Sequence, residues 1–149
     1  MGGLPTGAEV LTLDGALPVE HLTIGDRVIT RTAGATRLVD LSVDTVTEHA
    51  VEITGGALGK MDPDATLILP ASQIVLLRDW RARVMFGQPQ VAVPVGVLVD
   101  HGFIRDLGER EMRLHRLIFD RDHVIYASGL ELCCVPRSRQ PGVRLRTAA

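Results

Sequence analysis

The chain is organised around residues 8–31, which read AEVLTLDGALPVEHLTIGDRVITR. Ala8–Leu13 is rich in aliphatic and β-branched residues, and Asp14-Gly15 after it is a strong turn signal. A compact apolar connector with a helical turn follows, and Gly25-Asp26 forms a second turn because glycine tolerates a positive φ. Val28–Thr30 then returns to extended chain. The pattern predicts strand, turn, short helical turn, turn and strand.

The composition is that of one folded domain. The 149 residues are 46% hydrophobic and 23% charged, but only 3% aromatic, so aliphatic side chains must fill the core. The formal net charge is −2 and the isoelectric point is near 6.2. We therefore expect neither nucleic acid nor an anionic membrane surface as a partner.

The sequence shows no targeting, membrane or metal signal. No apolar run approaches the roughly 18–20 residues that span a bilayer, and the start, MGGLPTGAEV, lacks the charged and apolar regions of a signal peptide. We therefore assign no compartment. The two cysteines, Cys133 and Cys134, are neighbours, which predicts neither a disulfide framework nor a cysteine-rich zinc site. We expect no cofactor.

Short runs with turn signals between them predict an all-β domain. In Arg37–Ile53 the alternation indicates two strands with a break near Asp44 or His49. Arg78–Arg83 is interpreted as a charged connector, and Val95–Val99 as one helical turn. The further predicted strands share apolar or alternating patterns: Thr66–Leu69, Ile74–Leu77, Val84–Phe86, Val91–Val93, Phe103–Leu107, Glu111–Phe119, His123–Ala127 and Leu130–Val135.

The domain is expected to span residues 1–137. From Pro136 onward the composition shifts to Arg, Pro, Ser and Thr without apolar periodicity. Residues 138–149 are therefore expected to form a flexible tail.

The opening stretch resembles the start of the Hedgehog/intein (Hint) domain, a self-processing module. The resemblance lies in the order Asp-Gly, Pro-Val-Glu, Leu, Gly-Asp and Val within residues 14–28. Later segments follow in the family's order, and Leu117–Leu130, LIFDRDHVIYASGL, resembles the closing strand pair of bacterial Hint domains. The other matching segments are Ala57–Gly59 with Pro63-Asp64, Leu67–Leu69, and Val93-Pro94 with Leu98-Val99. The resemblance implies a flattened disc of many short, twisted strands.

Self-cleavage in that family has three chemical requirements. A nucleophile, usually cysteine, stands first in the domain and attacks the preceding carbonyl. A Ser or Thr and a His, three residues apart, polarise that peptide bond and protonate the leaving amine. Splicing also needs a terminal asparagine whose side chain cyclises.

The sequence lacks all three requirements. The resemblance places Gly3 at the nucleophile position, and Pro70 and Gln73 at the Ser/Thr and His positions. Glycine has no nucleophile, proline has no N–H donor, and glutamine cannot shuttle a proton near neutral pH. The chain contains no asparagine. We therefore assign no catalytic, cofactor-binding or metal-binding residue.

These observations favour a degenerate Hint-type domain, a folded binding or structural module whose partner is its own flanking polypeptide or another protein. One alternative is self-cleavage with Thr6, Cys133 or Cys134 as nucleophile and His115 or His123 as base. A related alternative is an inactivated form in which Gly3 replaces a natural cysteine. The third is an unrelated all-β binding domain.

Other chemistry-bearing residues have plainer interpretations. Cys133 and Cys134 are expected to be one buried small hydrophobe and one surface thiol. Asp120 and Asp122 are expected in a solvated turn beside His123. The remaining candidates are spaced too widely for a ligand set or lie in a polar tail: His21, His49, His101, Asp62, Asp64 and the arginines within Arg137–Arg146.

Overall fold

The computed structural model describes residues 2–54, 66–100 and 102–134. Those residues form strands, one α-helix (α1) and two 3₁₀ turns. The strands are β1 Leu4–Pro5, β2 Glu9–Thr12, β3 Gly15–Pro18, β4 Arg27–Thr30, β5 Gly34–Arg37, β6 Asp40–Thr54, β7 Thr66–Pro70, β8 Ile74–Leu77, β9 Val91–Pro94, β10 Ile104–Ile118, β11 His123–Ala127 and β12 Leu130–Cys134; α1 is Trp80–Phe86, and the 3₁₀ turns are Val19–His21 and Val95–Leu98.

The strands form two antiparallel sheets, which confirms the all-β prediction. One sheet has the order β1-β10-β6-β7, and the other has β3-β2-β4-β11-β12-β8-β9 with β5 beside β4. Strands β2 and β8 therefore belong to one sheet, with β4, β11 and β12 between them. In the described part of the chain, no helix combines the length and the apolar character needed to cross a bilayer.

The opening stretch folds as its turn residues predict. Strand β2, a turn, the 3₁₀ turn Val19–His21 and strand β4 follow in that order. The connector also contains strand β3, which pairs with β2 from Glu9↔Pro18 to Thr12↔Gly15. After β4 the chain turns back, and β5 begins at Gly34 and pairs with β4.

The predicted break in Arg37–Ile53 is wrong, because β6 is one strand of 15 residues. It pairs with β10, also of 15 residues, which joins the two strands predicted at Phe103–Leu107 and Glu111–Phe119. His49, proposed as a break, contacts Asp106 across the pair, with its Nδ1 3.2 Å from Oδ1. Polar residues in this antiparallel strand pair thus form cross-strand contacts instead of interrupting the strand.

The β6–β10 pairing is irregular at one point, which lies in β10. Its register with β6 shifts between Asp106 and Glu109. Gly108 there has a φ of +79°, and its N–H donates to Asp106 Oδ1 at 2.8 Å. A glycine bulge therefore accommodates the extra residue, which keeps both long strands paired on either side of it.

The strand predicted at Val84–Phe86 is wrong, because these residues end α1. The Asp79 carboxylate caps the helix by accepting a hydrogen bond from the Arg81 N–H at 2.9 Å. Gly87 ends the helix in the left-handed region, at a φ of +69°. Most of the segment interpreted as a charged connector, Arg78–Arg83, therefore belongs to the helix and its N-terminal cap.

The main core lies between the two sheets and includes residues from both ends of the described chain. Its fully buried members include Val10, Val28, Leu69, Phe119 and Ile125. A second, smaller cluster consists of Ala50 on β6 and Met112 and Leu114 on β10. Aliphatic residues fill both clusters, as the low aromatic content predicts.

Some predictions fall outside the described residues. These are the middle segments Ala57–Gly59 and Pro63-Asp64, the candidates Asp62 and His101, the end of the domain at residue 137, and the tail at 138–149.

The two caps of α1 can be tested by substitution. Asp79→Ala removes the acceptor for the Arg81 N–H, and Gly87→Ala places a Cβ at a positive φ. Each change is expected to lower the free energy of unfolding by about 1 kcal/mol in urea denaturation. Asp79→Asn, which keeps a cap, is the matched control and should cost less than half as much. Equal stability of Asp79→Ala and the wild type would contradict this helix.

Candidate functional site

The N-terminal segment is held at the edge of the four-stranded sheet. Strand β1 pairs with β10, with Leu4 opposite His115. Gly2 and Gly3, just before β1, are buried. They lie against the turn between β7 and β8, in which the Gln73 N–H donates to the Pro70 carbonyl at 2.9 Å. This turn carries the two positions that the sequence pattern assigned to the Ser/Thr and His of the family.

The Gln73 side chain joins both ends of the described domain. Its Oε1 accepts a hydrogen bond from the Gly3 N–H at 2.8 Å. Its Nε2 donates to the Ile74 carbonyl at 2.9 Å and to the Cys133 carbonyl at 3.1 Å. Gln73 is 6% exposed, so these three contacts satisfy an amide that water barely reaches.

The chemistry of the three partners requires an amide at position 73. Gly3 offers a donor, whereas Ile74 and Cys133 offer acceptors, which fixes the orientation of the Gln73 side chain. A neutral histidine has one donor and one acceptor and could not satisfy all three groups. The position assigned to a proton-transferring imidazole is therefore occupied by a group suited to holding backbone.

A serine hydroxyl and a glutamate carboxylate hold the backbone N–H of Gly2. The Gly2 N–H donates to Ser72 Oγ at 3.0 Å. Ser72 Oγ in turn donates to Glu48 Oε1 at 2.6 Å, and the Ser72 N–H donates to the same oxygen at 3.2 Å. The carboxylate orients the serine hydroxyl, so that its lone pair faces the Gly2 amide.

Arg116, on β10, is the last of the side chains that hold Gly2 and Gly3. We call Glu48, Ser72, Gln73 and Arg116 together the cradle. Its Nε donates to the Gly2 carbonyl at 3.3 Å, and its Nη1 lies 3.1 Å from Asp44 Oδ2. Its Nη2 is buried without a hydrogen-bond partner among the described residues. Sequence reasoning missed Ser72, Glu48 and Arg116, because no local pattern marks residues that meet from three separate elements.

The cradle leaves no room for side chains at positions 2 and 3. Gly2 has a φ of +81°, and a Cβ there would lie 2.8 Å from Gln73 Oε1. Gly3 has a φ of +132°, and its Cβ would lie 2.9 Å from Leu114 Cβ. A cysteine at position 3 would therefore be strained in its backbone and would clash with Leu114.

Thr6 and His115, named as a possible nucleophile and base, do meet in the structure. Thr6 Oγ1 lies 2.9 Å from His115 Nε2. Burial lowers the pKa of His115 below its ordinary value of 6.5, and the nearby carboxylate of Glu20 opposes that shift. The neutral imidazole is therefore favoured at neutral pH, and its free nitrogen can accept the threonine proton.

The other candidate pair is His123 with a cysteine. His123 lies on β11, and both cysteines lie on β12, where the Cys133 carbonyl accepts from Gln73. His123 is opposite Cys134 in the β11–β12 pair, and its Nδ1 lies 2.8 Å from Thr32 Oγ1. Burial raises the pKa of Cys133 and raises that of Cys134 to about 12. Both thiols are therefore protonated at neutral pH, which disfavours them as nucleophiles.

The remaining candidates do not assemble into a site. Asp120 and Asp122 lie in the turn between β10 and β11, as expected, and Asp120 Oδ1 is 3.6 Å from His123 Nε2. His21 ends the first 3₁₀ turn. His49 contacts Asp106 on the β6–β10 strand pair. Within residues 2–54, 66–100 and 102–134, no group of three or more His, Cys, Asp or Glu side chains is arranged to hold a metal ion.

Comparison with known proteins identifies the family of this chain. A family model described as "Hint domain" matches residues 3–134. The chain therefore belongs to the Hint-domain family, which confirms the resemblance and excludes an unrelated β-domain. A search of curated proteins finds no match.

Solved structures share the fold at low sequence identity. The bacterial intein-like domain from Clostridium thermocellum is 13% identical, with a TM-score of 0.58, and the match covers 91% of this chain and 99% of that one. The gp41-1 intein is 14% identical, with a TM-score of 0.57 and coverage of 89% and 98%. The MchDnaB-1 intein (N145AA) is 11% identical, with a TM-score of 0.54 and coverage of 89% and 98%.

Removing the Gln73 amide should destabilise the domain. Gln73→Met keeps the length of the side chain but leaves the Gly3 N–H and the Cys133 carbonyl without their partner. The expected loss in the free energy of unfolding is about 2–4 kcal/mol. Gln90→Met, at an exposed position, is the control and should stay within about 0.5 kcal/mol of the wild type. A Gln73→Met loss as small as that of the control would contradict the bridging role.

His115 should make stability depend on pH. Its pKa is lower in the folded state than the unfolded value of 6.5, so the unfolded chain binds more protons as the pH falls. The stability that the neutral His115 contributes is therefore present above pH 6.5 and is lost as the pH falls toward the pKa of His115 in the folded state. His115→Gln should therefore reduce the difference in unfolding free energy between pH 7.5 and pH 5.5, measured in urea. An unchanged difference would contradict a buried, neutral His115.

Proposed function

We propose that this chain is a Hint domain that holds the polypeptide at its N-terminus without cleaving it, and that it acts as a folded binding or structural module. The observation that carries the proposal is the Gln73 bridge between the Gly3 N–H and the Cys133 carbonyl. The Gln73 side-chain oxygen accepts the hydrogen bond of the Gly3 N–H and so stabilises the intact Gly2–Gly3 peptide bond. It cannot supply the proton that a departing amine needs.

The geometry around the Gly2–Gly3 peptide bond supports the same proposal. Arg116 reaches the Gly2 carbonyl, so a donor for a developing oxyanion is still present. Neither Gly3 nor Pro70 offers a nucleophile or an acid, however. A Cβ at position 3 would clash with Leu114. This clash favours a site adapted to glycine over a cysteine site that a single substitution has inactivated.

A second candidate function is favoured by the Thr6–His115 contact of 2.9 Å. In it, Thr6 Oγ1 bonds to the Pro5 carbonyl carbon, and His115 takes the hydroxyl proton and passes it to the Thr6 nitrogen as the Pro5–Thr6 bond breaks. The Pro5 carbonyl already accepts a hydrogen bond from the Ala8 N–H at 3.1 Å. Water would then hydrolyse the ester.

One experiment tests the proposal and separates it from this alternative. A reporter domain is fused ahead of Met1. The purified fusion protein is incubated for a day with and without dithiothreitol or hydroxylamine, and its mass is then measured by mass spectrometry. We expect the intact mass in every condition, because no group near Gly2–Gly3 can start the reaction.

Two other results would contradict the proposal, and each has its own meaning. Release at Gly2–Gly3 would show that the cradle is catalytic. Release at Pro5–Thr6 that is lost in Thr6→Val and in His115→Gln would establish the second candidate function. Thr36→Val, a threonine outside both sites, is the matched control for the Thr6 substitution.

A further inference from the structure

A small cleft opens on the eight-stranded sheet, with a volume of about 230 Å³. Part of its lining is a row of side chains across three neighbouring strands. Val124 on β11 pairs with Cys133 on β12. Because Leu132 pairs with Val75, Ile74 on β8 lies next to Cys133 in the same row. An apolar cavity of roughly 150 Å³ is enough to bind benzene, so this cleft has room for a small ring compound.

The walls of the cleft are apolar. Besides the row, Ala92 on the edge strand β9 and Cys134 line it. Ile74, Val124 and both cysteines are half-buried, so part of their apolar surface is open to solvent. Burial raises the pKa of both thiols, which keeps them neutral at neutral pH. An apolar molecule in the cleft would therefore remove apolar surface from water on both sides of the contact.

The polar side chains of the cleft already have partners. Thr32 Oγ1 lies 2.8 Å from His123 Nδ1, and His123 Nε2 lies 3.6 Å from Asp120 Oδ1. The His123 ring also packs edge-to-face on Phe119, with the ring centroids 5.5 Å apart. Asp122 is exposed and interacts within the chain. Among the described residues that line the cleft, none therefore offers an unengaged polar group that would repay the desolvation of a polar or charged ligand.

The cleft is connected to the N-terminal segment through Gln73. The Gln73 Nε2 group donates to the carbonyls of Ile74 and Cys133, and the side chains of these two residues line the cleft. The Oε1 atom of the same side chain accepts from the Gly3 N–H. One buried amide thus fixes the spacing of β8 and β12 beside the cleft and the position of Gly3 in the cradle.

We propose that this cleft binds a small neutral apolar molecule, about the size of toluene, and that the ligand strengthens the hold of Gln73 on Gly3. Burial against the row of apolar side chains drives the binding. The ligand fits the row best at the strand spacing that Gln73 imposes, so the bridge and the ligand stabilise each other reciprocally. The binding does not depend on the proposed function, whereas the regulation rests on it.

The binding is tested with four probes that share a benzene ring: toluene, phenol, benzylammonium chloride and sodium benzoate. Each is titrated into the full-length, ¹⁵N-labelled protein at constant ionic strength, and the amide signals of Ile74, Val124 and Cys133 are followed by NMR. We expect saturable shifts with toluene at about millimolar concentration, weaker binding of phenol by about threefold or more, and no saturable binding of either ion. No saturable shift with toluene, or binding of another probe as tight as that of toluene, would overturn the proposal.

A pair of alanine substitutions assigns the binding to this cleft. Ala92→Phe should abolish toluene binding, because the ring fills the cleft. Ala35→Phe, at an exposed alanine on β5 beside the same sheet, is the matched control and should bind toluene as the wild type does. Undiminished binding of toluene to Ala92→Phe would overturn the assignment.

The coupling to the N-terminal segment is tested by two further substitutions. Gln73→Met should weaken toluene binding by about threefold or more, because it frees the spacing of β8 and β12. Ser72→Ala removes the acceptor of the Gly2 N–H without touching the cleft, so its toluene affinity should stay within about twofold of the wild type. Equal affinity of Gln73→Met and the wild type would overturn the coupling.

The wild-type protein supplies a measurement that depends on no variant. Toluene should shift the side-chain amide signals of Gln73 with the same dissociation constant as the signals of Cys133, and leave those of the exposed Gln88 in place. Unmoved Gln73 signals at saturating toluene would overturn the coupling. Release of the reporter from the fusion protein would instead overturn the proposed function and leave the binding of toluene as measured.

Discussion

The three hydrogen bonds of the Gln73 side chain determine how the ends of this domain meet. One side chain accepts from Gly3, at the start of the described chain, and donates to Cys133, near its end. Because Gln73 is buried, an unmade bond at any of these groups would carry the full cost of desolvation. The turn at Pro70–Gln73 and the end of β12 must therefore keep their relative positions for the N-terminal segment to stay in place.

Under the proposed function, the same interaction lets a Hint scaffold hold its N-terminal peptide bond without cleaving it. A catalytic imidazole has to exchange protons with the scissile amide, whereas an amide side chain can only hold that group. Ser72 and Arg116 hold the flanking N–H and carbonyl of Gly2 in the same way. The donors and acceptors around the Gly2–Gly3 peptide bond thus fit the binding role that we propose.

The sequence predicted the parts of the fold that depend on local geometry. Asp14-Gly15 and Gly25-Asp26 specify turns on their own. The resemblance assigns Gly3 and Gln73 to positions of one site, and the structure brings these two residues into contact at 2.8 Å. The helix at Trp80–Phe86 is not predicted, because its charged first half has the composition of a connector and its apolar end, Val84–Phe86, that of a short strand. The length of β6 was missed because cross-strand partners such as Asp106 are far away in sequence.

The cradle itself was beyond prediction for a related reason. Glu48, Ser72 and Arg116 come from β6, a turn and β10, and only the assembled sheets bring them to Gly2. Nothing in their immediate sequence distinguishes them from surface polar residues. The Thr6–His115 pair was suggested by residue type alone, and only the pairing of β1 with β10 places the two side chains in contact.

The most direct measurement of the central claim is hydrogen exchange at the Gly3 backbone amide, followed by NMR in the full-length protein. If Gln73 holds this N–H in the folded state, its exchange should be slowed by at least about 100-fold relative to an unstructured chain, and Gln73→Met should remove that protection while the amides of β11 remain protected. Exchange of the Gly3 amide at the unstructured rate in the wild-type protein would contradict the claim.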